Sequence, residues 1–286
     1  MYKFLVIILL FATTVSCQNY GRLQLVHSLP NLLEEVSGFE SLPNSPLLWA
    51  VNDSGNKATV YGYNPETNDI ERTIKITNGS NVDWEDVTAD SLGNIYIGDF
   101  GNNNNYRKDL VIYTIMVDKN QQTFKTEALR TTFTYEDQKK FPPKKKNRNF
   151  DAEAFFYKDG HFYLFTRNRS SHFDGTTKLY KLPATPGNHT AQLIGSFKTC
   201  NDHNDCQVTA ASIDPSGKKI ALLNYNKVWV FSEFENDDFF SGKVQEIKLK
   251  HSSQKESLSF KDSVTLYIAD EQNGSEGGNL YTLSLD

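Results

Sequence analysis

The chain has 286 residues, with 35 acidic side chains against 30 Lys and Arg and a formal net charge of −5, so it lacks the basic excess expected of a nucleic-acid partner. Aromatic residues make up 13% of it, and its apolar runs are short and broken by Gly, Asn, Asp and Pro, a composition that favours strands over helices. After residue 16 no apolar stretch is long enough to cross a bilayer as a helix, which excludes an integral helical membrane protein.

Residues 1–16 read as an export signal. Lys3 supplies the positive end, FLVIILLFA the apolar core, and TTVSC a small-residue cleavage region. Residues 17–21 then form a tether or N-terminal linker. TVSC has the layout of a bacterial lipobox, with Thr14 where such boxes carry Leu, so Cys17 is the expected lipidated first residue of a cell-envelope lipoprotein. Ordinary cleavage beside Cys17, giving a secreted protein, is the alternative. The other two thiols lie in CNDHNDC. In an oxidising compartment Cys200 and Cys206 are expected to form a disulfide, in preference to a zinc site that would add His203.

From residue 22 to 286 a single all-β domain is expected, because one unit recurs along it. EVSGFESLPNSPLLWAVNDSG, EDVTADSLGNIYIGDFGNN, EAFFYKDGHFYLFTRNR, AASIDPSGKKIALLNYN and ESLSFKDSVTLYIADEQNG each run strand, polar turn, second strand. They start at Glu35, Glu85, Glu153, Ala210 and Glu256, and spacings of 46 to 68 residues suit propeller blades of four antiparallel strands. Only three strands fit after Glu256. RLQLVHSL, residues 22–29, is therefore expected to supply the fourth, closing a five-bladed β-propeller and removing an exposed edge. A six-bladed ring is the alternative and would need an extra blade inside the 68-residue interval.

In such a ring the first strand of each blade lines the central channel and starts on the face where the second strand ends. Glu35, Glu85, Glu153 and Glu256 are expected around that mouth as ligands of a hard cation, calcium before zinc. Asp53, Asp99, Asn102, Arg167, Asn224 and Asp270 are expected nearby as ligand-binding residues. The bland alternative is that each Glu accepts backbone N–H groups and locks neighbouring blades together. The insertion EDQKKFPPKKKNRN adds Lys144, Lys145, Lys146 and Arg148, which suit an anionic ligand; a solvated Pro-Lys loop is the bland alternative.

LLWAVNDSG, DWEDVTAD, IGDFGNN, FDAEAFF and KESLSF together resemble the exported propellers of the SdiA-regulated and esterase-like phytase group, from about residue 30 onward. The resemblance implies a propeller, often exported, with an acidic centre that can hold a divalent cation. It does not imply catalysis. The expected protein is thus a monomeric exported propeller, attached to the membrane only through its lipid, whose mouth holds calcium and binds an extracellular ligand. The alternative is a metal-dependent hydrolase of an anionic substrate such as a phosphoester, with Glu85 or Glu153 activating water. A carboxylate-pair glycosidase would need unequal acids. Their recurrence in register predicts equivalent ones instead.

Overall fold

The computed structural model describes residues 18–286 apart from 43–44, 118–122 and 204. The export signal and Cys17 lie outside the described residues, among which no helix is long and apolar enough to cross a membrane. Strand β1 (Gln24–Ser28) comes first, followed by the meander β2 (Val36–Ser41), β3 (Leu48–Asn52), β4 (Thr59–Asn64) and β5 (Asp69–Ile76). Next are β6 (Trp84–Ala89), β7 (Asn94–Asp99), β8 (Val111–Met116), β9 (Thr123–Thr126) and β10 (Leu129–Tyr135). A third run holds β11 (Asp151–Lys158), β12 (His161–Arg167), β13 (Thr176–Pro183) and β14 (Gly187–Lys198). The rest is β15 (Ala210–Ile213), β16 (Lys219–Leu223), β17 (Lys227–Ser232), β18 (Lys243–Lys248), β19 (Lys255–Phe260), β20 (Thr265–Asp270) and β21 (Asn279–Ser284).

Each run pairs antiparallel in sequence order, and β1 completes the last sheet by pairing with β21, as the strand arithmetic predicts. The first strands β2, β6, β11, β15 and β19 pack side by side in that order, and β19 packs on β2, so they close a ring. These strands carry little period-2 polarity because both faces are covered; all six residues of β19 are buried, Ser257 and Ser259 included. Each pair of neighbouring sheets encloses its own apolar cluster. Trp49, Val60 and Ile74 meet Val87, Ile97 and Tyr113, and further round Val228 and Ile247 meet Leu258 and Ile268. The ring is tight where β2 approaches β6, since a Cβ on Gly38 would lie 2.7 Å from the backbone N of Val87.

The long interval between Glu85 and Glu153 contains an outer strap. β9 leaves its own sheet to pair parallel with β5, while β10 sits between β8 and β14 and pairs parallel with β14. The strap covers the outer edges of β5 and β14, edges that would otherwise present unpaired N–H and C=O groups.

Inter-sheet locks of the kind proposed for the ring glutamates exist at other carboxyls. Asp86 accepts from the backbone N of Val87 (2.8 Å) and of Phe155 on β11 (3.0 Å). Glu40 accepts from Thr88 Oγ1 on β6 (2.9 Å) and Ser259 Oγ on β19 (3.2 Å). Burial outweighs these bonds and pushes Glu40 up to about 7, and it holds Asp86 well above the usual carboxylate range.

Candidate metal centre at the channel mouth

In four first strands the pairing with the second strand skips one residue: Ser37, Glu85, Glu153 and Glu256. β15 pairs without a skip and carries no acid there. A β-bulge of this kind re-aims a side chain next to a site, and here it sits where each first strand begins. The skipped positions also correct the repeat alignment by two residues. Glu35 corresponds to Asp83 and Asp151, and the place of Glu85 is taken in the first sheet by Ser37.

Carboxylate oxygens of Asp53, Asp83 and Glu85 lie within 4.8 Å of one another, and those of Glu85, Asp151 and Glu153 do likewise, so Glu85 belongs to both groups. Gly101, after β7, makes room for the first group. A Cβ there would collide with Glu85 Oε1 and lie 2.5 Å from Asp83 Oδ2.

Among the described residues, arginines ion-pair with the second group and not with the first. Arg167 donates to Glu153 Oε2 (2.8 Å), Gln207 Oε1 (2.6 Å) and Tyr225 Oη (3.0 Å), and lies 3.7 Å from Glu256 Oε1. Arg169 donates to Asp151 Oδ2 (2.6 Å) and Glu153 Oε1 (2.8 Å). Arg107 pairs with Asp99 Oδ1 (2.9 Å) and Asp109 Oδ1 (3.1 Å). The ion pairs of the described residues include none to Asp53, Asp83 or Glu85, and the other oxygen of Asp99, Oδ2, is buried without a hydrogen-bond partner.

Protonation follows this asymmetry. Burial, followed by the charges of Glu153, Asp53 and Asp83, holds Glu85 well above the ordinary carboxylate range. Burial and then Asp53 and Glu153 push Asp83 up to about 6, and burial raises Asp53 as well. Burial works against Glu153 too, but Arg167 and Arg169 beside it hold it below its ordinary value. Asp151, buried beside Glu153, rises to about 8. The expectation of equivalent acids therefore fails: burial and neighbouring carboxylates raise Glu85, whereas two arginines hold Glu153 down.

The remaining expected residues divide. Glu256 accepts from Tyr225 Oη (3.1 Å) and faces Arg167, and burial with Glu256 pushes neighbouring Glu271 up to about 10. Glu35 is exposed and accepts from Asn56 Nδ2 (2.5 Å). Asn102 serves as a bridge, its N–H donating to Asp151 Oδ1 (2.5 Å) and its Oδ1 accepting from the Arg107 N–H (3.0 Å). Asn224 closes a local turn by accepting from the N–H groups of Asn226 and Lys227. Asp270 is fully buried and accepts from the Asn279 N–H (2.8 Å) and Tyr281 Oη (3.0 Å). Lys144, Lys145, Lys146 and Arg148 stand on a short 3-10 turn at Lys145–Asn147 and its flanks. Cys200 and Cys206 are joined by a disulfide, which suits an oxidising, extracellular environment.

Sequence reasoning sees Asp83 in an acidic cluster with Glu85 and Asp151 just before Glu153, but assigns no site role to either, and it misses Arg107 and Arg169. Its available signal was the recurrence of Asp-x-Glu in DWE and DAE, two residues apart in both repeats.

No protein-family model matches the sequence, and no curated protein matches it in sequence. In structure the chain resembles the PQQ-bound aldose sugar dehydrogenase of Streptomyces coelicolor, at 9% identity over 92% of this chain and 98% of that one, with a TM-score of 0.52. A chain of the nidogen–laminin complex aligns over 82% of this chain and 72% of its own (11% identity, TM-score 0.45). The β-propeller domain of Cps50 (Swd1) from Myceliophteria thermophila covers 88% and 84% (9% identity, TM-score 0.42). The ring of first strands and the likeness to the dehydrogenase define the fold as a β-propeller.

Proposed function

We propose that the chain is an exported five-bladed propeller, lipid-anchored through Cys17, whose acidic mouth holds calcium and whose surrounding face binds an extracellular ligand. The blade count is supported by the ring of β2, β6, β11, β15 and β19, each leading a four-stranded meander once β1 and β10 are included. One observation carries the metal reading: Asp53, Asp83 and Glu85 converge within 4.8 Å with no ion-paired cation, beside the unpartnered Asp99 Oδ2. An all-oxygen set favours a hard cation, and calcium tolerates irregular oxygen geometry better than magnesium. A divalent ion would offset the repulsion that raises these carboxyls, and its binding would release their protons.

The test is thermal unfolding of the chain from Gln18 in EDTA and then in calcium, for the native sequence and Asp83→Asn. A calcium-dependent rise in melting temperature that Asp83→Asn removes supports the site. No shift at millimolar calcium sinks it.

A second reading, hydrolysis of an anionic substrate such as a phosphoester, is favoured by the contrast between Glu85, raised by burial and its acidic neighbours, and Glu153, held down by two arginines. Their carboxylate oxygens lie within 4.8 Å, giving an acid and a base side by side. Turnover of a chromogenic phosphoester that Glu85→Gln abolishes, with the melting temperature unchanged, distinguishes it from a binding module.

A further inference from the structure

We propose that the clefts on the two sides of the lysine-rich turn form one binding site for an extended sulfated polysaccharide, independent of any cation at the channel mouth. The turn is a docked element. Ser170 Oγ donates to Lys146 O (2.7 Å) and the Ser171 N–H donates to Lys145 O (3.1 Å), which fixes the backbone that carries the cations. On one side lies a cavity of about 770 Å³ lined by Lys140, Lys144 and Lys146, and on the other a cavity of about 600 Å³ lined by Lys145, Arg148 and Arg169. Both are bordered by Ser170 and His172, where they meet.

Cations outnumber carboxylates in this groove, although Arg169 is itself ion-paired to Asp151 and Glu153. The second cavity has no carboxylate in its lining. In the first, Asp137 is engaged by Lys178 (2.6 Å) and Tyr180 Oη (2.8 Å), and Asp174 accepts from Asn168 Nδ2 (3.1 Å) and the Thr176 N–H (3.0 Å). Lys140, Lys144 and Lys146 are exposed and take part in none of the ion pairs of the described residues, and Arg148 Nε is buried without a partner. Such a concentration in a chain of net charge −5 creates a local positive field that composition does not explain.

The ligand chemistry follows from the walls. Lysines act as separate point charges suited to successive anionic groups, and Asn, Ser and Thr side chains supply polar walls that match sugar hydroxyls. The larger cavity offers no exposed Phe, Tyr or Trp, since its Phe150 is buried; the smaller has the half-buried Phe173 and both share the exposed His172, so single-stranded DNA is a necessary competitor in the test. The disulfide points to an oxidising exterior, and among extended polyanions a sulfated glycan combines spaced anionic groups with the hydroxyls that these polar walls match.

The experiment is fluorescence anisotropy of a labelled heparin dodecasaccharide with the chain from Gln18, in EDTA, over a series of salt concentrations. Binding is expected to weaken as salt rises, and Lys140→Ala/Lys144→Ala/Lys146→Ala is expected to lower affinity by about tenfold with the melting temperature unchanged. A control triple, Lys218→Ala/Lys243→Ala/Lys250→Ala, is expected to bind as the native chain does. Unchanged binding by the first triple, or an equal loss in the control, overturns the site. Equal affinity for a desulfated dodecasaccharide, for polyphosphate, or for single-stranded DNA of matched charge overturns the glycan assignment. Because EDTA is present throughout, failure of the calcium reading leaves this result unaffected.

Discussion

The two carboxylate groups that share Glu85 use the same residue types at the same place in the repeat, yet they meet different partners. Asp151 and Glu153 meet two arginines that leave the end of β12; Asp53 and Asp83 meet none. Repeat register thus decides where an acid stands, and the loop after the second strand decides whether a cation meets it. One side of the mouth is a closed ion-pair network and the other an open set of oxygens.

The sharpest way to break this contrast is to remove its cation. Arg167→Met leaves buried Glu153 with Arg169 alone and takes away the cation that faces Glu256, and is expected to cost about 3–5 kcal/mol, on the order of 10 °C in melting temperature. Scanning calorimetry checks it, and a change below about 2 °C would show that the two sides do not differ as described. The open side is probed without touching an acid. Calcium at about a hundred times its Kd is expected to add ~2.7 kcal/mol of stability. Gly101→Ala should abolish most of that gain by displacing Glu85 and Asp83, with little effect on the calcium-free chain.

Acidity gives a smaller effect of defined sign. Asp83 is raised from 3.8 to about 6 and Glu40 from 4.5 to about 7, so the native chain retains protons that the unfolded chain releases across these intervals. Their stabilisation is complete below about pH 4 and is lost as pH rises to about 7. His251, lowered from 6.5 by burial and then Lys255, opposes them below pH 6.5. The calcium-free melting temperature is therefore expected to fall by on the order of 5 °C from pH 5 to pH 7.5, and saturating calcium to flatten the profile. A melting temperature that rises over the interval contradicts the raised Asp83 and Glu40 carboxyls. Glu35→Gln should have the least effect, within about 0.5 kcal/mol, because Glu35 is exposed. If it removes the calcium response, the cation sits further toward β2.

The meanders and the closing role of residues 24–28 were legible because they follow from strand counts, and strand patterns are local. The two-residue offset of Glu35 was not, because a β-bulge leaves no composition of its own: the skipped residue is Ser37 in one sheet and Glu in three others. Arg107 and Arg169 were missed for a related reason. They belong to loops that follow second strands: Arg107 folds back on Asp99 at the end of β7, and the antiparallel return of β12 brings Arg169 to Asp151 at the start of β11. The excess length between Glu85 and Glu153 was visible, but its use as an outer strap depends on parallel pairings with β5 and β14 that no local signal encodes.

The pairing of β1 with β21 sets an order of events during synthesis. Ser28 and Asn279, hydrogen-bonded across the closure, are 251 residues apart, so residues 24–28 wait for a partner until translation has passed residue 284. Joining ends that distant costs about 5 kcal/mol in chain entropy if it is formed from an open coil, and much less once the intervening sheets have folded into an arc. A strand left waiting is exposed to wrong partners. QLVHS answers that hazard with its composition: none of its residues is buried even in the finished ring, so the nascent chain carries a latch too short and too polar to be adhesive.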